Sequence, residues 1–538
     1  MSSSQSTAGS SCDSAGTPAP ASLDACAANA LESARHWASR AGQAGHRALP
    51  AWLQCATDAY RALHTDDPSR ADAAATLATQ ATAELLSRLL QQHPHGWSPG
   101  LLQVDGIRLQ VEFRQVSPWL VPPVRIRLAR DVPMDAFGGE RFARPGFGVP
   151  VAALSRRHDD EPYGRLQPLF GAFRNLTAWI EPDPAQSDAP PILVFADPQK
   201  IGAIAIGPHR RQLASDTSAA YAWAMRISKL ARTGLWGLLG GEAIEHRAGL
   251  YLLEDYDPDK RPLVMIHGLG SIPLIWAHLS NAVWGMDELR ARYQIWQVIY
   301  PTDEPLLVTR SRIQGYLDAA WQMLDPDGDA PARSGAVLVG HSLGGVIARL
   351  LCVDSGDALW NAAFLVPPGS LDASVEDLQV IRRLFSFHSY PGIARAVFLA
   401  APHRGSPSAA TPLGQVTRAL VGRRTAEVHA LQRIAMANPE AIRPELLHTF
   451  QQGWINSIAT LQSEQPVRRA TESLLPPAGI SFHTIAGVQP GRRQQTDGVV
   501  PLDSAQIPGA ASCLVVEDGH RLHDNPQVVA EVLRILRL

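Results

Sequence analysis

A mostly parallel α/β sheet with helices on both faces is the fold class this sequence predicts for its C-terminal part, on three observations. Apolar strand-like runs alternate with helical ones from about residue 249 to the end, as in a sheet whose parallel strands are joined by crossover helices. One run, Gly335-Ala336-Val337-Leu338-Val339, passes through Gly340-His341-Ser342-Leu343-Gly344 into the helix-like Gly345-Val346-Ile347-Ala348-Arg349-Leu350-Leu351: a strand, a tight turn, a helix. Pro526 to Leu536 then repeats apolar side chains at helical spacing, which gives a closing helix against one face of the sheet.

The 538 residues exceed one ordinary core, and length alone suggests about two to four domains. With 45% hydrophobic and 18% charged residues and a formal net charge of -3, the composition is that of a soluble globular protein; no basic excess points to nucleic acid. Residues 1–22, rich in Ser, Ala, Gly and Thr, offer little apolar surface and are expected to be disordered. Residues 23–95 form a small helical region, Ala-rich with Leu, Trp and Tyr at helical spacing, as in Ala83-Glu84-Leu85-Leu86-Ser87-Arg88-Leu89-Leu90. Residues 96–210 alternate apolar and polar side chains between prolines and glycines, as in Ile107-Arg108-Leu109-Gln110-Val111, and form a β-rich region. There Arg125, Arg127 and Arg130 are expected on the solvated face of a half-buried strand.

Residues 215–538 hold the α/β domain, entered through an apolar helix from Ala219 to Leu239. Its strands are expected at Arg261 to Ile266, Gln294 to Tyr300, Ala336 to Val339, Ala396 to Ala400, Ser481 to Val488 and Ser512 to Glu517. The segments 354–391 and 406–477 are too long for simple crossovers and imply a helical cap, either to select substrate and exclude water or as an interaction surface.

The cysteines at 12, 26, 55, 352 and 513 are too scattered for a disulfide framework, and no Cys/His cluster has metal spacing. No run of about 18 apolar residues could span a membrane, and the first residues lack the pattern of a secretory signal. As it stands the chain is expected to be cytoplasmic. The alternative, a cell-envelope location, applies if the biological start lies upstream; Leu23-Asp24-Ala25-Cys26 faintly matches a lipoprotein cleavage site.

Flanking glycines leave the side chain of Ser342 exposed at a strand end, which makes it the candidate nucleophile. A serine hydroxyl needs a base, and the base needs an orienting acid. Asp497, in Thr496-Asp497-Gly498-Val499-Val500-Pro501, is the first candidate acid, with Asp503 behind it. The base is His520, after Gly519, or alternatively His523; both lie between the last strand and the closing helix. The oxyanion needs two backbone donors, assigned to Leu343 at the start of the elbow helix and to Leu269 in His267-Gly268-Leu269-Gly270. His267, Gly268, His341 and His403 are expected to line the substrate site. His403 and Arg404, in Pro402-His403-Arg404-Gly405-Ser406, could equally serve only to fix that turn.

On these residues, together with Tyr256-Asp257-Pro258-Asp259-Lys260, the chain from about Gly249 to Leu538 resembles lipase-like α/β-hydrolases, in particular large bacterial members related to GPI inositol-deacylase-like and triacylglycerol-lipase-like proteins. In such members a helical and a β-rich region also precede the hydrolase. The expected fold is therefore an α/β-hydrolase with a helical cap. The expected activity is cleavage of carboxylic esters, of small molecules or lipids, through an acyl-enzyme on Ser342, with no metal or organic cofactor. Peripheral contact with a lipid surface remains open, and protein partners are unspecified. Two alternatives stay beside it: acyl transfer by the same residues to an alcohol other than water, and an idle hydrolase fold that serves as a binding module.

Overall fold

A computed structural model describes residues 20–45, 48–158, 160–184, 186, 188–228, 246–405, 425–453 and 464–538. The expected disorder of residues 1–22 falls mostly outside them, since the first helix begins at Pro20. The segments 229–245, 406–424 and 454–463, with parts of the expected entry helix and cap, also lie outside.

The chain divides into two compact units, residues 1–156 with 171–224, and residues 157–170 with 225–538. In the first unit, helices Pro20–Gln43, Leu49–Arg61 and Pro68–Gln92 precede six strands: β1 (Gly100–Val104), β2 (Ile107–Arg114), β3 (Arg125–Leu128), β4 (Val149–Leu154), β5 (Phe173–Glu181) and β6 (Ile192–Ala196). These make one sheet in the order β1-β2-β6-β5-β4-β3, antiparallel except between β2 and β6. The helical and β-rich sequences share one core. Small buried faces at Ala56, Ala59, Ala74 and Ala81 let the helices pack closely, while Leu85 and Leu86 join Leu109, Leu193 and Phe195 of the sheet. Arg127 and Arg130 are exposed and Arg125 is half-buried. Arg125 and Arg127 do more than face water, since each guanidinium lies against the ring of Trp223, at 5.4 and 5.3 Å.

The second unit is built on seven strands: β7 (Gly249–Leu252), β8 (Arg261–Ile266), β9 (Tyr293–Ile299), β10 (Ala336–His341), β11 (Ile393–Leu399), β12 (Ser481–Gly487) and β13 (Ser512–Val516). Their order is β7-β9-β8-β10-β11-β12-β13, with β7 antiparallel to β9 and all other pairs parallel. Every residue of β9 and β10 is buried, which requires cover on both sheet faces and explains why these strands read as mostly apolar runs, with Gln294 and Gln297 the polar exceptions in β9. The four-residue edge strand β7 has too little pattern to be legible beforehand. One antiparallel edge strand, a parallel sheet behind it and a strand-turn-helix at the central β10 make this an α/β-hydrolase fold.

The closing helix Pro526–Arg537 is capped by Asn525, whose side chain accepts from the Gln527 and Val528 amides, and it buries Val528, Val532, Leu533, Ile535 and Leu536. The Tyr293 hydroxyl and an Arg395 guanidinium donate to the carbonyls of Leu536 and Ile535, tying that helix to β9 and β11. Of one insertion, the helix Ala358–Ala363 packs on Pro466–Thr471 of the other and Val375–Phe385 packs on Ala426–Ala437, which in turn packs on Pro444–Gln452. An Asp377–Arg433 ion pair and the Leu365 N–H to Ala441 C=O bond join the two.

Candidate active site

Register brings the site residues together. β8 pairs Ile266 with Gly340 of β10, so His267–Gly270 and Ser342 leave neighbouring strands at the same level. On the other side β12 pairs Gly487 with Val516 of β13, and the loops beyond them carry Asp497 and His520. All four segments emerge at carboxyl ends of strands, where open α/β sheets present ligands.

Ser342 has φ +54° and ψ -122°, outside the regions open to an ordinary side chain. Such strain persists only where the surroundings enforce it. Here the Ser342 amide donates to the Leu399 carbonyl of β11 at 2.8 Å, and the helix Leu343–Leu351 starts at once. The turn is also too crowded for side chains beside it: a β-carbon on Gly340 would lie 2.3 Å from the Gly344 carbonyl oxygen, and one on Gly344 would lie 2.2 Å from that of Ile266.

The Ser342 Oγ lies 2.9 Å from His520 Nε2, and His520 Nδ1 lies 2.8 Å from Asp497 Oδ2. A carboxylate can only accept, so Nδ1 carries the ring proton and Nε2 is left to accept the serine hydroxyl. The other Asp497 oxygen accepts from the Val499 and Val500 amides at 2.8 and 2.7 Å, and the residue is buried. Those two bonds fix the carboxylate that orients the ring. The fallback acid Asp503 is exposed and accepts instead from the Ser504 amide. His523 is buried with neither ring nitrogen in a hydrogen bond among the described residues, although Asp524 Oδ2 lies 3.5 Å from its Nε2. Burial pushes its pKa down to about 4. Its ring stands edge-on to His341, centroids 5.0 Å apart.

The loop His267–Gly270 is held from β9. The Tyr300 hydroxyl donates to the His267 carbonyl at 2.6 Å, the two rings stack at 4.5 Å, and the Gly270 amide donates to Thr302 Oγ1 at 3.1 Å. His267 donates from Nδ1 to the Gly268 carbonyl at 3.0 Å, and its burial holds its pKa near 4. It is therefore a neutral structural group. The amides of Leu269 and Leu343 donate no backbone hydrogen bond among the described residues. Neither Tyr300 nor Thr302 stood out in the sequence; a tyrosine ending a buried strand was the one available signal.

His341 is buried, and its Nε2 lies 2.8 Å from the His520 carbonyl. His403 is also buried, edge-on to Phe398, and among the described residues it bonds none of Ser342, His520 or Asp497 through its ring. Its loop is instead tied to Ser504, which accepts the Arg404 amide and donates to the Gly405 carbonyl. Among the described residues no group of three or more His, Cys, Asp or Glu side chains is arranged to hold a metal ion, and no helix is long and apolar enough to cross a membrane.

No family model matches the chain, and no curated protein matches it. Among solved structures it is similar to the mature Bacillus licheniformis lipase BlEst2, at 15% identity over 53% of this chain and 97% of that one, with a TM-score of 0.28. It is similar also to the esterase EaEST from Exiguobacterium antarcticum, at 16% identity over 54% and 96%, with a TM-score of 0.28. A lipase-esterase related protein from Clostridium acetobutylicum matches at 12% identity over 53% and 99%, with a TM-score of 0.26.

Proposed function

We propose that the chain is a serine hydrolase of carboxylic esters, with Ser342 as nucleophile, His520 as base and Asp497 as the group that orients it. The observation that carries this reading is the unbroken chain of hydrogen bonds from Ser342 Oγ through His520 to Asp497. As Ser342 Oγ attacks the acyl carbon, its proton passes to His520 Nε2, and Asp497 stabilises the resulting imidazolium. The Leu269 and Leu343 N–H groups hold the oxyanion of the tetrahedral intermediate. On its collapse the leaving alkoxide takes the proton from His520. Water, deprotonated by the same ring, then releases the acid and restores Ser342.

The second unit also holds an apolar cavity lined by Leu306, Leu384, Val428, Leu431, Phe450 and Val467; none of Ser342, His520 or Asp497 lines it, and we propose it as the place of an apolar acyl group of small-molecule or lipid esters. The test is labelling by a fluorophosphonate probe in the wild type and in Ser342→Ala, followed by hydrolysis of p-nitrophenyl esters of increasing chain length. The proposal expects labelling that disappears in the variant and faster turnover as the acyl chain lengthens. Folded wild-type protein that resists the probe would refute the enzyme reading.

A further inference from the structure

The pentapeptide that supplies the nucleophile also carries a buried imidazole that this mechanism leaves unused. His341 Nε2 lies 2.8 Å from the backbone carbonyl of His520. A carbonyl only accepts, so Nε2 carries the proton and Nδ1 is a bare lone pair; Nδ1 is buried without a hydrogen-bond partner among the described residues. The ring is held on three sides. His520 lies at 5.0 Å on one, His523 stands edge-on at 5.0 Å on another, and the oxyanion loop passes so near that a β-carbon on Gly268 would stand 3.1 Å from Nδ1. His341 therefore sits where the nucleophile turn, the oxyanion loop and the histidine loop meet, 179 residues from the carbonyl it binds.

We infer that His341 is a positioning residue: its Nε2–H anchors the histidine loop, so that the imidazole of His520 stays within bonding distance of both Asp497 and Ser342. The inference rests on the proposed roles of Ser342, His520 and Asp497. A bond to the backbone of the base residue fixes where its Cα sits, while the bond to Asp497 fixes only the ring. Both are needed, because a loop displacement of about 1 Å lengthens the 2.9 Å serine contact beyond a hydrogen bond. The second wall, His523, keeps the His341 ring from rotating away, which gives that buried histidine a role other than base.

The test compares two amides. A glutamine side chain can place its N–H near the position of the histidine Nε2, whereas asparagine reaches only to Nδ1. His341→Gln is expected to keep kcat for a p-nitrophenyl ester within about 3-fold of wild type. His341→Asn is expected to lower it by about 30-fold with KM changed by less than about 3-fold, and to slow fluorophosphonate labelling in parallel. Equal kcat in the two variants would overturn the inference. So would an effect confined to a raised KM, which would mark His341 as a substrate contact. If either variant fails to fold, the tautomer decides: 15N spectra of histidine-labelled wild type must show His341 protonated at Nε2, and a proton at Nδ1 overturns the inference. Failure of the underlying function is separable from both, because it would leave the wild type itself unlabelled by the probe.

Discussion

Gly268 faces Ser342 so closely that a β-carbon added to it would stand 2.9 Å from the Cβ of the serine. The elbow cannot give way, because Ser342 is fixed by its bond to Leu399 and by the buried helix behind it. In Gly268→Ala the oxyanion loop has to move instead, and the Leu269 amide moves with it. We expect kcat to fall by about 10²-fold with an unchanged circular dichroism spectrum. Activity within threefold of wild type would show that the Leu269 amide is not a donor to the reaction.

The two histidines of the C-terminal loop differ in what they touch. Asp497 and Ser342 both bond His520, while His523 is buried against His341. Asp497→Asn keeps the shape but disturbs the ring tautomer, and is expected to cost about 10³- to 10⁴-fold in kcat, with His520→Ala at least as severe. His523→Ala should lose at least a hundredfold less. The reverse ranking in ester hydrolysis would make His523 the base.

Tyr300→Phe deletes the hydroxyl that satisfies the buried His267 carbonyl. Leaving that acceptor without its donor should cost about 1–3 kcal/mol of stability in denaturant unfolding. Because the oxyanion loop loses its tether, kcat should drop by roughly tenfold while KM changes little. A stability loss with full kcat would separate the tyrosine from the chemistry.

Five buried histidines among the described residues make the fold sensitive to acid. Burial is the leading cause in each: it holds His267, His483 and His523 near pKa 4, and His341 and His403 well below their ordinary value. A folded-state value below the unfolded one means that the unfolded chain binds more protons as pH drops, so the stabilisation present above about pH 6.5 is lost as pH falls toward 4. For His267 alone, a shift from 6.5 to about 4 corresponds to roughly 3 kcal/mol at the acid end. The midpoint of urea unfolding should therefore fall steadily between pH 6.5 and 4.5, and less steeply in His523→Asn. A midpoint constant across that range would contradict the buried, neutral state of these rings.

Much of the second unit was legible because its central parallel strands, β8 to β10, are buried almost throughout and so read as mostly apolar runs bounded by turns. The elbow was legible for a related reason: crowding at Gly340 and Gly344 admits no side chain, and that leaves a trace in sequence. Strand β7 left no such trace, being four residues long, and neither did the shared core of the helical and β-rich sequences, which depends on contacts between residues far apart in the chain.

The sequence by itself determined the residue types and their order: a serine in a strand-turn-helix, then an aspartate in a turn, then two histidines before a closing helix. Local pattern can do this because periodicity, turn residues and glycine crowding act over a few neighbours. Only the tertiary structure decided which histidine meets Ser342, since that depends on the register of β12 with β13 and on the carbonyl of His520 bonding His341 across 179 residues. The same holds for Tyr300 and Thr302. Each is an unremarkable residue after a strand until parallel pairing of β8 with β9 sets it beneath the loop it supports.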